Sequence, residues 1–255
     1  MRGNGVVAAW EAFQFAQWSY RVTIVGAQMV ASADLGQIDA LLRMSRGFGS
    51  ARALHDDAEE IRGAAEGEVE RSFATLRKFV VISACSAMEG LWKAAFVEQA
   101  LRDPSILAGL DVRIQLSPAD VIGVSDEEKL FALADELYKT SPGGRSRQKT
   151  WTHFERHLHL VSNLLLLSTG EVAAAQEWLE MADAELYNEI FAVRNCLVHN
   201  GGVADRRLEG RGTFEVGSPI VLTPRLVDDY LANLEYVGTA YVHKIWLEIS
   251  GEGDG

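Results

Sequence analysis

Apolar residues recur every three or four positions along most of the chain, which is the period of one face of an α-helix. Trp10, Phe13 and Tyr20 follow this spacing in the first such stretch. Few prolines interrupt the pattern, since the chain contains only 5. The pattern predicts helices within residues 6–45, 52–66, 67–102, 125–140, 148–168, 171–198 and 224–249.

Several helix ends can be predicted from short local signals. Ser125 precedes Asp-Glu-Glu, and Glu128 occupies the third helical position, which is the arrangement of a capping box. Pro104 requires a helix to end before it, because the residue before a proline avoids the helical region. Pro224 suits the first turn of the last helix.

One short segment departs from the helical pattern. FEVGSPIVLT has a Gly-Ser-Pro centre, which predicts a small β-hairpin insertion near residues 212–223. Helices joined by short loops, with at most one hairpin, predict an all-α helical bundle. We expect residues 1–66 to be an N-terminal helical extension packed on the core. Residues 67–250 would form the main helical domain, with an insertion at about 103–147.

Charge and cysteine content limit the classes of function. The formal net charge of −12 disfavours general binding of polyanions, because long-range repulsion slows association, but it is compatible with a local basic site. The two cysteines, Cys85 and Cys196, are far apart and form no CxxC pair, so no zinc ribbon or disulfide framework is predicted. A reducing, intracellular setting is expected.

Residues 79–97 form an apolar run of nearly membrane-spanning length. Glu89 and Lys93 lie inside it, and charged groups are costly within a bilayer, so the run predicts a buried helix rather than a span. The beginning of the chain, MRGNGVVAAWEAF, lacks an apolar core followed by a cleavage site. We therefore expect a cytoplasmic protein that does not bind membranes.

The helix that ends in RNCLVHNGG places an arginine among apolar residues. On an ideal helix, Arg194 falls between an apolar stripe that contains Ile190 and Val193 and a second apolar stripe beside it. A buried guanidinium keeps its charge and needs a partner. Glu89, on an apolar face of the helix 67–102, is the predicted partner. A purely structural ion pair is the alternative interpretation.

Asn195 and His199 fall on a more polar stripe of the same helix and are four residues apart. Arg194 and His199 are five residues apart, about 140° around an ideal helix. Gly201 and Gly202 follow, so a loosened last turn could bring the two side chains together. The alternative is that His199 only stabilises the negative end of the helix.

Arg194, Asn195 and His199, in AVRNCLVHNGG, resemble the signature of the HEPN superfamily of helical proteins. That signature is an arginine, often followed by a polar residue, and a histidine about five positions later near a helix end. The upstream segment SACSAMEGLWKAAF, with its acid, resembles the family's second core helix. The resemblance covers residues 67–102 and 150–249.

The resemblance implies an endoribonuclease that needs no metal and no cofactor, with two subunits pairing so that both motifs line one cleft. Family members act as toxins of toxin–antitoxin pairs or as effectors of antiviral defence, so an antitoxin or a defence-system protein is an expected partner. Other members are catalytically inactive modules that dimerise or bind nucleotides. An unrelated helical scaffold is a third hypothesis.

Cleavage of RNA by its own 2′-hydroxyl suits the three motif residues. A base that deprotonates the 2′-hydroxyl lets it attack the adjacent phosphorus, which leaves a 2′,3′-cyclic phosphate. His199 fits as the base or the acid. Arg194 fits as the fixed cation beside the developing phosphorane charge, Asn195 as a group that orients the phosphate or His199, and Glu89 as the residue that holds Arg194.

A local basic rim could contact RNA despite the net negative charge. Arg145, Arg147 and Lys149 cluster before Trp151, whose ring could stack on a base. A second group contains Arg206, Arg207 and Arg211. The alternative for both groups is scattered solubilising charge. His153 and His157 have metal-ligand spacing but no third ligand, so no metal site is expected.

Overall fold

The computed structural model describes residues 4–38, 40, 51–108, 123–139 and 183–240. This part of the chain is mostly helical and contains no strand, which confirms the all-α fold class. In chain order the helices are α1 (Asn4–Ser32), α2 (Ala51–Glu70), α3 (Ala74–Arg102), α4 (Ser105–Ala108), α5 (Asp126–Lys139), α6 (Ala184–His199) and α7 (Pro224–Ala240), with a 3₁₀ turn at Arg206–Leu208 between α6 and α7.

Helix α3 is the centre of the bundle and packs against α1, α5, α6 and α7. Its sequence explains this position, because it combines small residues, which allow close approach, with large apolar ones that fill the core. Trp92 and Phe96 are fully buried. By length and composition α3 could cross a membrane, but 61% of its most apolar window is buried in the structure, as in the core helix of a bundle.

A hydrogen bond and an ion pair help to hold α3 against α6 and α5. The indole Nε1–H of Trp92 donates to the hydroxyl of Tyr187 on α6 at 3.2 Å, in the buried core. The ammonium of Lys93 pairs with Asp135 on α5. The charged Lys93, which argued against a membrane span, therefore lies at a packed helix–helix boundary.

The stretch 67–102, predicted as one helix, is broken at residues 71–73. Ser72 and Phe73 have positive φ angles of 50° and 60°, which are uncommon for residues other than glycine. The side chain of Phe73 is buried at the break, with only 8% of it exposed. The guanidinium of Arg77 donates to the carbonyl of Ser72 across the break. Tertiary packing therefore overrides local helix propensity here.

The predicted helix ends agree with the structure. Ser125 Oγ accepts from the backbone N–H of Glu128 at 3.2 Å, and the Glu128 carboxylate accepts from the N–H of Ser125 at 2.8 Å, which completes the capping box. Helix α3 ends at Arg102, before Pro104. Pro224 is the first residue of α7.

The predicted β-hairpin near 212–223 is wrong. Residues 202–204 instead run antiparallel to 217–220, with a single bridge between Val203 and Pro219. On either side of this bridge the N–H of Ala204 donates to the carbonyl of Ser218 at 2.9 Å, and the N–H of Ile220 donates to that of Gly202 at 2.7 Å. The Gly-Ser-Pro sequence therefore lies within this short pairing rather than at the tip of a hairpin.

Helix α1 packs along α3 and also reaches α7. A β-carbon placed on Gly238 of α7 would lie 2.3 Å from the ring of Trp10, so the absence of a side chain at Gly238 makes room for the indole. The side-chain amide of Gln17 donates to the carbonyl of Leu231 at 3.5 Å. The division into an extension, 1–66, and a main domain, 67–250, stays a prediction.

Candidate functional site

Helix α6 carries the motif and begins at a regular cap. The carboxylate of Asp183 accepts from the backbone N–H of Leu186 at 2.9 Å. From there the helix buries one broad face against α3 and α7; the residues of that face are Tyr187, Glu189, Ile190, Phe191, Ala192, Val193 and Cys196. This packing fixes the direction in which each motif side chain leaves the helix.

Arg194 leaves α6 toward α3, as the sequence predicts. Its Nη2 lies 3.5 Å from Oε2 of Glu89, and its Nη1 donates to Oδ1 of Asn195 at 3.0 Å. The side chains of Arg194 and Glu89 are 19% and 18% exposed, so the pair lies at the edge of the interior. A guanidinium has five N–H donors, and these two contacts leave others for an anion.

His199 is the last residue of α6 and is exposed to solvent. The final turn stays helical, because the N–H of Asn200 donates to the carbonyl of Cys196 at 3.0 Å. The loosened last turn that could have brought His199 beside Arg194 is therefore absent. Regular helical geometry keeps the two residues about 140° apart around the axis and about 7.5 Å apart along it.

The glycines that follow turn the chain back along α6. Gly201 and Gly202 have φ angles of +61° and +77°, the left-handed region that favours glycine. The N–H of Gly202 donates to the carbonyl of Cys196 at 3.0 Å, and its own carbonyl accepts from the N–H of Ile220 at 2.7 Å. The end of the motif helix is thus held by the 217–220 segment.

A buried carboxylate on α6 was missed by the sequence analysis. Glu189 is 6% exposed and accepts from the hydroxyl of Tyr230 at 2.5 Å and from that of Thr213 at 2.8 Å. Burial, and then the hydrogen bond to Glu189, raise the pKa of Tyr230. The signal was available, because Glu189 is three residues from Leu186 and four from Val193, on the apolar side. This network ties α6, the following loop and α7 together.

Neither cysteine is placed to act as a nucleophile. Cys85 lies in the core beside the ion pair, and burial, followed by the charge of Glu89, raises the pKa of its thiol well above the usual range. Burial also raises the pKa of Cys196. Both are free thiols in their protonated form, which reacts poorly.

Only part of the predicted basic rim lies within the described residues. Arg145, Arg147, Lys149 and Trp151 lie outside the described residues, as do His153 and His157. In the second group, Arg207 pairs with Asp205 at 3.4 Å, and Arg211 donates to the carbonyl of Glu185 at 3.0 Å. These two arginines thus hold the loop after α6 as well as contributing positive charge.

A cleft of about 570 Å³ lies between α1 and α3. Its walls are mostly apolar, with Phe15 and Phe79 at 65% and 66% exposure and with Tyr20 as the one ionisable group among the lining residues. Burial raises the pKa of Tyr20. The described residues that line this cleft include no cationic group that could bind a phosphate.

Comparison of the chain with protein-family models, with curated proteins and with solved structures finds no match. A function must therefore be inferred from the chemistry of the motif residues and from their geometry.

Proposed function

We propose that the protein is a metal-independent endoribonuclease of HEPN type that acts as a toxin or an antiviral-defence effector. The observation that carries the proposal is the setting of Arg194. Its guanidinium is four-fifths buried between the Glu89 carboxylate and the Asn195 amide, about one and a half helical turns from the exposed imidazole of His199. A buried cation with spare donors, close to a proton-transfer group, suits phosphoryl transfer.

In the proposed reaction His199 removes the proton of the 2′-hydroxyl, or protonates the departing 5′-oxygen. The 2′-oxygen attacks phosphorus, the P–O5′ bond breaks, and a 2′,3′-cyclic phosphate and a 5′-hydroxyl result. Arg194 stabilises the charge that develops on the non-bridging oxygens. Glu89 acts as a positioning residue, because its contact fixes the guanidinium before RNA arrives. DNA lacks the 2′-hydroxyl and is not a substrate in this mechanism.

The exposed position of His199 supports a homodimeric site. Within one chain, Arg194 faces α3 while His199 faces solvent on another side of α6. A second subunit that presents its own motif across the interface would supply a histidine beside the first subunit's arginine. Such a site would also provide one histidine as base and another as acid. A partner protein that neutralises a toxin would act by covering this surface.

The test is RNA cleavage by purified protein in the presence of a chelator. We expect products with 2′,3′-cyclic phosphate ends, no cleavage of DNA of the same sequence, and a loss of activity of about 10²-fold or more in His199→Ala. His55→Ala, a substitution in α2 outside the motif sequence, is the matched control and should retain activity. RNA left intact by the wild type, or cleaved equally by His199→Ala, would contradict the proposal.

A catalytically inactive dimerisation or nucleotide-binding module is the second candidate. The observation that favours it is the separation of Arg194 and His199 on α6, which leaves a single chain with only half of the proposed site. The same assay separates the two candidates. An inactive module would form a dimer or bind a nucleotide but would give no cyclic phosphate product at any protein concentration.

A further inference from the structure

We infer that Lys78 is a second phosphate-binding residue of the site, one that contacts an RNA phosphate at the opposite end of the α3–α6 boundary from Arg194. The inference deepens the proposed ribonuclease function and rests on it. Three observations carry it: the position of Lys78 on the face of α3 that carries Glu89, its proximity to the turn that ends the motif helix, and the lack of an ion-pair partner for it among the described residues.

Lys78 and Glu89 lie on one stripe of α3. They are eleven residues apart, which corresponds to about three helical turns and returns to nearly the same direction, about 16 Å further along the axis. Glu89 contacts Arg194, so this stripe faces α6 at that level. Lys78 therefore belongs to the same α3–α6 boundary, displaced toward the end of α6.

The contact with Gly202 fixes where the ammonium lies. A β-carbon placed on Gly202 would be 3.7 Å from Nζ of Lys78, so the ammonium sits directly against the turn that ends α6. Gly202 follows His199 by three residues and is held by its hydrogen bond to the Cys196 carbonyl. The boundary thus carries the Arg194 cation at one end and the Lys78 cation at the other. His199 lies between their levels along the axis of α6, on a different side of that helix.

The charge of Lys78 is available to an anion. Among the residues that the structure describes, no carboxylate forms an ion pair with it, and the lysine is only partly buried. Lys78 and Glu89, the partner of Arg194, are about 16 Å apart along α3. Successive phosphates of one strand are separated by about 3.4 Å of rise in a duplex, so the two cations would contact phosphates of different nucleotides. Lys78 would then supply local attraction on a protein of net charge −12.

A purely structural role makes a different prediction. An ammonium at the end of α6 also stabilises the carbonyls of the last turn, an effect on folding stability that requires no RNA. The salt dependence of RNA binding distinguishes the phosphate-binding role from the purely structural one. Each phosphate contact made by a cation contributes about −0.7 to the slope of log K against log salt concentration for a single strand.

The experiment measures binding of a fluorescent, 2′-O-methylated single-stranded RNA, which cannot be cleaved by this mechanism, between low and moderate salt. We expect Lys78→Gln to weaken binding by on the order of tenfold at low salt and to reduce the salt slope by about 0.7. Lys78→Arg should retain the slope. Lys129→Gln, at an exposed ion pair on α5, is the control and should bind like the wild type.

The outcomes distinguish this inference from the proposed function. If the wild type cleaves RNA and Lys78→Gln keeps the wild-type affinity and salt slope, the inference is overturned while the ribonuclease function stands. A variant that is destabilised but binds RNA normally leads to the same conclusion. If the wild type neither binds nor cleaves RNA, the proposed function fails, and the role of Lys78 fails with it.

Discussion

The ion pair between Glu89 and Arg194 should couple the two residues energetically. The perturbation is a double-mutant cycle with Glu89→Gln and Arg194→Met, which remove the charges and keep most of the side-chain volume. Each single variant leaves one charged partner at the edge of the interior, and the double variant leaves neither. The coupling free energy is the amount by which the two single effects fail to add.

The magnitude follows from the 3.5 Å separation and from the exposures of 19% and 18%. Opposite unit charges at this distance attract by roughly 5 kcal/mol at an effective dielectric constant of about 20. Removal of water from both groups offsets part of this attraction. We expect a coupling free energy of about 2–3 kcal/mol, above the range of about 0–1 kcal/mol that is typical of exposed pairs.

The assay is urea unfolding of the four proteins, followed by tryptophan fluorescence and by circular dichroism. Arg225 and Asp229 provide the matched control, because they form an ion pair at 3.9 Å with side chains 93% and 57% exposed. Their coupling should be about 0.3–0.5 kcal/mol, as for an exposed pair on one helix. A coupling between Glu89 and Arg194 no larger than that of the control would refute the view that this boundary fixes the guanidinium.

Three further predictions concern the bundle. Gly238→Ala should lower the free energy of unfolding in urea by about 1–3 kcal/mol, because the new β-carbon meets the Trp10 ring. Gly63→Ala is the control: its position is helical and has open space, so the substitution should raise the same free energy by about 0.5–1 kcal/mol. Tyr230→Phe should cost about 1–3 kcal/mol, because it removes a donor from the buried Glu189; an unchanged unfolding midpoint would contradict this. Burial raises the pKa of the Cys85 thiol from 9.0. Above pH 9 the thiol therefore ionises in the unfolded state but stays protonated in the folded state, so the free energy of unfolding should fall as the pH rises. Cys85→Ala should abolish about 1.4 kcal/mol of the fall between pH 8 and pH 10.

The helices could be predicted where local signals and burial agree. The capping box at Ser125 and Glu128 can be recognised from local sequence alone, because both of its hydrogen bonds join residues three positions apart. The break at Ser72 and Phe73 could not be predicted. No glycine or proline marks it, and its positive φ angles accompany the burial of the Phe73 side chain, which local sequence does not reveal.

The hairpin prediction failed for a related reason. Gly-Ser-Pro is a frequent turn signal, but the pairing that formed connects residues 217–220 with 202–204, immediately after the motif helix. Which segment pairs with residues 217–220 depends on the direction in which the chain leaves the end of α6. The left-handed turn at Gly201 and Gly202 decides this direction, and its consequence for a segment fifteen residues later cannot be derived from local pattern.

The candidate site could be predicted from the sequence only where a charged residue interrupts an apolar helix face. Arg194 and Glu89 each stand on an apolar face, and each needs an opposite charge, so the sequence predicts their contact. Lys78 carries no such signal, because a lysine at the start of a helix is ordinary. Its position against Gly202 depends on how α3 and α6 are aligned, which only the three-dimensional structure provides.

The separation of Arg194 and His199 on a regular helix makes a strong prediction about a dimeric ribonuclease. If each site combines the arginine of one subunit with the histidine of the other, Arg194→Met and His199→Ala are each inactive alone. Co-expressed with different affinity tags and purified as the mixed dimer, they restore one complete site in two, so activity should recover to about half that of the wild-type dimer. If both residues act from the same subunit, the mixed dimer contains no complete site and stays inactive. A mixed dimer without activity, formed from variants that fold and dimerise like the wild type, would contradict a shared site.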